Sequence, residues 1–185
     1  ARTVDCGSHE SDAGTVLLNT DGIVSNGDPV DDNSSLQSIT NGYGNTGEFS
    51  WDFSTAVTNV SFNVNDIDTD GVVKITAFDV DGNPITVNLT GGSGLTLRDT
   101  DLVAGADTAD SNGGDGAVNS GTYNLNVDIP GPVSRIVLTH TQDGYTNSGI
   151  NVTEMYYDAL TGEVGAGDEG GDDVIMGDAG NDTIF

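Results

Sequence analysis

Apolar residues alternate with polar ones over much of this chain, and that alternation limits it to one class of fold. Phe49, Trp51 and Phe53 share one parity, and Val60, Phe62 and Val64 share another. Further along, Tyr123, Leu125, Val127 and Ile129 repeat it. A period of two places successive side chains on opposite faces of a strand, so each set describes a strand with one buried face. No segment carries the 3.6-residue period of an amphipathic helix. Asn, Asp, Thr, Gly and Val abound while Lys and Glu are few, a composition that favours strands and turns over helices.

The alternating runs and their turn signals give nine or ten antiparallel strands. Short strands are expected at residues 15–19 and 23–25, around the Asp21-Gly22 turn, followed by loop over residues 26–47. Residues 72–80 and 85–89 read as a hairpin about Asp81-Gly82-Asn83-Pro84, and Leu95–Arg98 as a short strand. Residues 99–121 read as a long loop, whose length suggests function or ordering by a metal. Strands then follow at 135–140 and 150–159, with Pro130-Gly131-Pro132 as a turn. The expected fold is all-β, a two-sheet antiparallel sandwich of jelly-roll layout over residues 1–160. By parity Trp51 belongs to its core, and His140 continues the face of Ile136 and Leu138 in a structural role.

Four Lys and Arg stand against thirty Asp and Glu, for a formal charge of −26. Such a surface repels nucleic acid and anionic membranes, because no basic patch can be assembled from so few cations. It also repels itself unless cations screen or bind it. The single cysteine, Cys6, excludes an internal disulfide framework. No apolar run reaches the roughly 18 residues of a membrane-spanning helix, so membrane insertion is not expected. No N-terminal signal peptide is visible, and the start at Ala1 is expected of a processed or excerpted chain.

The last nineteen residues read GDEGGDDVIMGDAGNDTIF. Gly171 and Gly180, Asp173 and Asp182, and Ile175 and Ile184 recur at a period of nine. This segment resembles the RTX (hemolysin-type) calcium-binding nonapeptide, in which glycines let carbonyls turn inward and aspartates add anionic oxygen. The resemblance implies that residues 161–185 begin a parallel β-roll, with Gly171, Asp173, Gly180 and Asp182 among its calcium ligands. It implies calcium as structural cofactor and a secreted, extracellular or cell-surface bacterial protein. Such rolls place calcium between loops two repeats apart, so two copies leave the sites incomplete and a homo-oligomer or filament is one expected way to complete them.

A second resemblance rests on WDFSTAVTNVSFNVNDIDTDG, VVKITAFDVDGNPI and IPGPVSRIVLTHTQDGYTNSGINVTEMYYDA, over about residues 48–160. These stretches are similar to a β-sandwich module of large secreted bacterial proteins, found upstream of RTX arrays. The layout is broadly similar to that of calcium-containing, carbohydrate-binding jelly rolls.

Two constellations carry candidate chemistry. Asp66-x-Asp68-x-Asp70-Gly71 has the opening of an EF-hand loop, but Ala77 stands at its twelfth position and strands flank it. A calcium loop of another kind is expected, with Asp158, Asp79 or Asp81 completing it. Tyr43 and Tyr145 lie in Gly/Asn loops where an exposed ring can stack on a sugar face, with Asp143 and Asn147, and Asn41 and Asn45, as hydrogen-bonding neighbours. His9 and His140 lack zinc spacing, and no nucleophile has a credible base. The chain is therefore read as a non-enzymatic, calcium-binding structural or adhesive module of an extracellular assembly, with calcium-dependent glycan binding as the alternative.

Overall fold

In the computed structural model, residues 16–160 are described in full, and the strands β1 (Arg2–Cys6) and β2 (His9–Asp12) by their pairing alone. The expected β-roll, with Gly171, Asp173, Gly180 and Asp182, lies outside the described residues.

The alternation after Glu48 becomes β4 (Thr46–Asn65), a strand of 20 residues that serves two layers. Its first half pairs with β1 on one edge and with β11 (Val133–Gln142) on the other, setting Phe49 opposite Leu138 and Trp51 opposite Ile136. Its second half lies between β10 (Leu125–Ile129) and β13 (Tyr156–Ala159), with Phe62 opposite Val127 and Ser61 opposite Tyr156. Between the halves β4 runs from Asp52 to Val57 while β11 steps only from Arg135 to Val133. The extra residues form a bulge, which turns the strand from one layer into the other.

From β11 the first layer continues through β5 (Gly71–Phe78) to β9 (Thr108–Ser111) and β8 (Leu95–Arg98), with β6 (Pro84–Ile85) folded back on β5. The second layer carries β7 (Asn88–Gly91) on β10, and β12 (Asn147–Val152), β3 (Leu36–Asn41) and β2 beyond β4. Every pairing among the described residues is antiparallel. Phe49, Val73, Ile75, Ile136 and Leu138 from the first layer share one core with Val60, Phe62, Val64, Leu125, Val127, Ile129, Ile150 and Val152 from the second. Each such side chain contributes about 1.5–3 kcal/mol by leaving water. This is the expected antiparallel sandwich, joined through β4 into one hydrogen-bonded ladder.

The expected hairpin arm at residues 85–89 is divided instead between β6 on β5 and β7 on β10, and local expectations fail in three further places, each for a polar reason. Residues 16–35 form no strand beyond the single bridge pair Leu17–Asn33. Asparagines of the sheet hold this segment instead: Asn19 N–H donates to Asn65 Oδ1 at 2.9 Å, and Asn63 Nδ2 donates to the carbonyls of Asn19 and Asp21 at 3.1 and 3.0 Å. Conversely β3 falls where loop was expected, because its inward residues are Ser38 and Thr40. Ser38 Oγ lies 3.0 Å from His140 Nδ1, and Thr40 Oγ1 donates to Gln142 Oε1 at 2.8 Å. His140, fully buried, also lies 3.2 Å from Ser148 Oγ, a structural setting. Lastly, β9 interrupts the expected long loop. Burial alone would raise the Asp107 carboxyl beside it, but bonds from Lys74, Thr108 and Thr100 outweigh burial and hold it below the ordinary value.

Candidate functional site

One end of the sandwich gathers four connections, and the strand registers dictate which. Asn41 pairs with Asn147, Thr46 with Thr141, Gly71 with Gln142, Asn65 with Asn151, Val72 with Asp110 and Val64 with Leu125. The turn 42–45, the loop 66–70, the loop 143–146 and the segment 112–124 therefore share this tip.

Tyr43 and Tyr145 meet there, with ring centroids 5.6 Å apart and planes inclined by 32°. Both rings are mostly exposed, at 64% and 87%. Tyr43 sits between Gly42 and Gly44, at φ +94° and +81°, angles that side chains on either neighbour would resist. The Asn45 side-chain amide donates to the Asn41 carbonyl and closes this turn. Around Tyr145 the anchor is Asp70, whose Oδ2 accepts from Thr146 N–H at 3.0 Å and from Thr146 Oγ1 at 2.6 Å. These bonds, the hydroxyl's first, hold the Asp70 carboxyl below its ordinary value. Gly144 makes the approach feasible: a Cβ there would lie 2.1 Å from the Asp70 carboxylate. Asp143 N–H donates to the Asp70 carbonyl at 3.0 Å, and the exposed Asp143 carboxylate adds negative charge beside buried Asp110.

Next to this lies a second group of carboxylates. Asp66, at φ +69°, has its carboxyl pushed up to about 6 by burial and then by the charges of Asp68 and Asp115. Asp68, 8% exposed, is also raised, chiefly by burial. Its Oδ2 accepts Gly116 N–H at 3.0 Å, while Thr69 N–H donates to the Gly114 carbonyl at 2.7 Å. Gly114 and Gly116 lie flat against buried Tyr123, where any Cβ would collide with its ring or hydroxyl. The tyrosine thus presses Asp115 and its loop toward Asp66 and Asp68.

The structure brings together Tyr43, Tyr145, Asp143 and Asn147, and it brings Asp66 to Asp68. Asp70 serves the tyrosine loop. Asp158 lies apart: it pairs with Thr58, and the stretch of β4 from Thr58 to Asn65 spans roughly 20 Å at the rise of a strand. There it accepts from Asn26 Nδ2 and, at 2.8 Å, from Asn59 Nδ2, both residues having positive φ. Asp79 is engaged in its own turn, accepting from Asn83 N–H at 2.8 Å and Asp81 N–H at 2.9 Å. Among the described residues no three His, Cys, Asp or Glu side chains are grouped to hold a metal ion. Asp115, absent from the sequence reading, lies 45 or more positions from its partners, and no local motif signals it.

No family model matches the sequence, and no curated protein matches it. Among solved structures, the enzymatically active domain of bacteriophage CBA120 tailspike protein 4 is similar at TM-score 0.40 and 13% identity, over 86% of this chain and 19% of that one. A structure of carbohydrate-binding modules from the β-sandwich superfamily is similar at TM-score 0.40 and 9% identity, over 84% of this chain and 56% of that one. The family 11 carbohydrate-binding module from Clostridium thermocellum, in complex with a β-1,3-1,4-mixed-linked tetrasaccharide, is similar at TM-score 0.37 and 8% identity, over 85% and 88%. The chain spans less than two thirds of the length of the first two. Likeness of this degree carries no functional argument, and the site must be judged on its own geometry.

Proposed function

We propose that this chain is a carbohydrate-binding module whose tip holds a sugar against Tyr43 and Tyr145. One observation carries the reading: two exposed tyrosine rings, from turns far apart in sequence, stand 5.6 Å apart on glycine-shaped and Asp70-anchored backbone. A packed sandwich gains little by leaving such rings in water. A pyranose gains from them, because its C–H face stacks on aromatic carbon while its hydroxyls reach Asp143 and Asn147 at the rim. The surrounding carboxylates disfavour acidic sugars, so neutral glycans are the expected ligands. A glycan array, run with and without chelator, tests the reading directly. Loss of binding to at least one glycan in Tyr43→Ala and Tyr145→Ala supports it, and binding of every glycan indifferent to both variants rejects it.

A second reading concerns cations. Asp66, Asp68 and Asp115 are not grouped closely enough in this structure to hold a metal ion, but they feel one another's charge in partly buried surroundings, and a calcium ion that drew them together would relieve it. Under this reading calcium staples the tip and serves a structural or adhesive module. Asp70 and Asp158 take no part. Melting curves and light scattering in millimolar calcium against excess chelator test it: a higher melting point with unchanged mass indicates a monomer's staple, a rise in both indicates calcium-dependent assembly, and no change in either removes this reading.

A further inference from the structure

A second aromatic surface lies along the turn of β4 and has nothing to do with the tip. Trp51 and Phe53 share the inward parity of Phe49, yet they are only partly buried. The reason is the bulge that begins there: here β4 leaves the first layer, and the opposing side supplies Ser35, the 153–155 connection and Tyr157. An open groove of about 490 Å³ results, lined by Trp51, Phe53, Met155 and Tyr157, with Asp52 and Glu154 at its polar side. Its volume lies within the range of about 300–1,000 Å³ usual for small-molecule sites.

We propose that this groove is a second binding site, and that it takes a neutral oligosaccharide. Phe53 and Tyr157 are locked edge to face, with centroids 5.2 Å apart and planes at 70°, so the ring wall is preformed. Beside it the exposed Glu154 carboxylate offers hydrogen-bond acceptors at the rim of the groove. A sugar matches both halves of this lining, with C–H faces for the rings and vicinal hydroxyls for the charged groups. An apolar peptide segment would instead strip water from Glu154 without replacing its hydrogen bonds, which is costly. An anionic polymer meets a chain of formal charge −26. The groove lies roughly 20 Å along β4 from the turn that holds Tyr43, by the rise of a strand, so the inference stands independently of the tip.

Trp51 is the sole tryptophan, which makes the groove its own reporter. The experiment titrates the full chain with cello-, xylo-, manno- and N-acetylchito-hexaose, following tryptophan emission and, in parallel, heat of binding. At least one oligosaccharide should shift or quench the emission saturably, in wild type and equally in a Tyr43→Ala/Tyr145→Ala variant. Tyr157→Ala should weaken that response by at least about tenfold. Glu154→Gln, at an exposed position, should weaken it too, and it serves as the control if Tyr157→Ala unfolds. Heat of binding without any change in emission would confine binding to the tip and overturn the groove while sparing the tip. Absence of both signals with all four sugars would overturn the groove and the tip reading together.

Discussion

The tip and the groove offer the same residue type in opposite ways. At the tip, Tyr43 and Tyr145 ride on turns, outside the sandwich, and their backbone is shaped by Gly42, Gly44, Gly144 and the bonds to Asp70. In the groove, Trp51 and Phe53 ride on β4 itself and are exposed only because the facing layer stops short. Rings on loops are accessible by construction and need anchors to be stiff. Rings on strands are stiff by construction and need a gap to be accessible. A binding surface can be reached from either starting point, and substitutions should tell the two apart.

The largest expected effect falls on what the two regions share. Phe62→Ala removes a fully buried ring from the half of β4 between β10 and β13 and should cost about 3–5 kcal/mol, read by denaturant unfolding. Both surfaces should lose their ligands in step with the unfolded fraction, and loss of one alone would show that the layers fold separately. Next in size, Tyr145→Ala should reduce glycan affinity at the tip about tenfold or more while leaving stability within about 0.5 kcal/mol. A stability loss with unchanged binding would make the tyrosine pair a lid on the sandwich.

A smaller effect distinguishes the two by pH. Asp66 has a folded-state value of about 6, above that of an unfolded aspartate, so the folded chain binds more protons across the interval between them. Stability should therefore fall as pH rises from about 4 to about 6. Asp66→Asn should flatten that slope, leaving the smaller contribution of Asp68, and stabilise the chain at neutral pH by on the order of 1 kcal/mol after solvent screening, measured from unfolding midpoints at both ends of the interval. Asp70 behaves oppositely. Its carboxyl is held below the ordinary value, so its ties to Thr146 persist at neutral pH and are lost as pH falls through its folded-state value. Thr146→Val should produce the smallest change, a few-fold loss of glycan affinity at the tip with no effect on Trp51 emission in the groove.

How much of this was legible depends on which chemistry buried each residue. The strands with apolar inward faces, β4, β5, β10 and β11, follow from alternation alone. β3 does not, because Ser38 and Thr40 are buried through hydrogen bonds to His140 and Gln142, and polar alternation leaves no hydrophobic signature. At the tip, glycine and asparagine context singled out Tyr43 and Tyr145, although only the β3–β12 register makes them neighbours. The aspartates were harder. Asp66, Asp68 and Asp70 share one motif, yet left-handed backbone at Asp66 and Thr69 sends Asp70 to a different partner, and Asp115 joins from a distant loop. Trp51 read as core because parity shows which way a side chain points and not whether anything covers it.

The double service of β4 also bears on how the chain is made. Synthesis delivers this strand early, whereas β10, β11 and β13, which flank it in both layers, come from the last third of the described residues. Until they emerge, a strand of 20 residues has most of its backbone donors and acceptors without their final partners. A nascent chain of this design therefore exposes unpaired strand edges, open to edge-to-edge pairing, until β10, β11 and β13 have emerged.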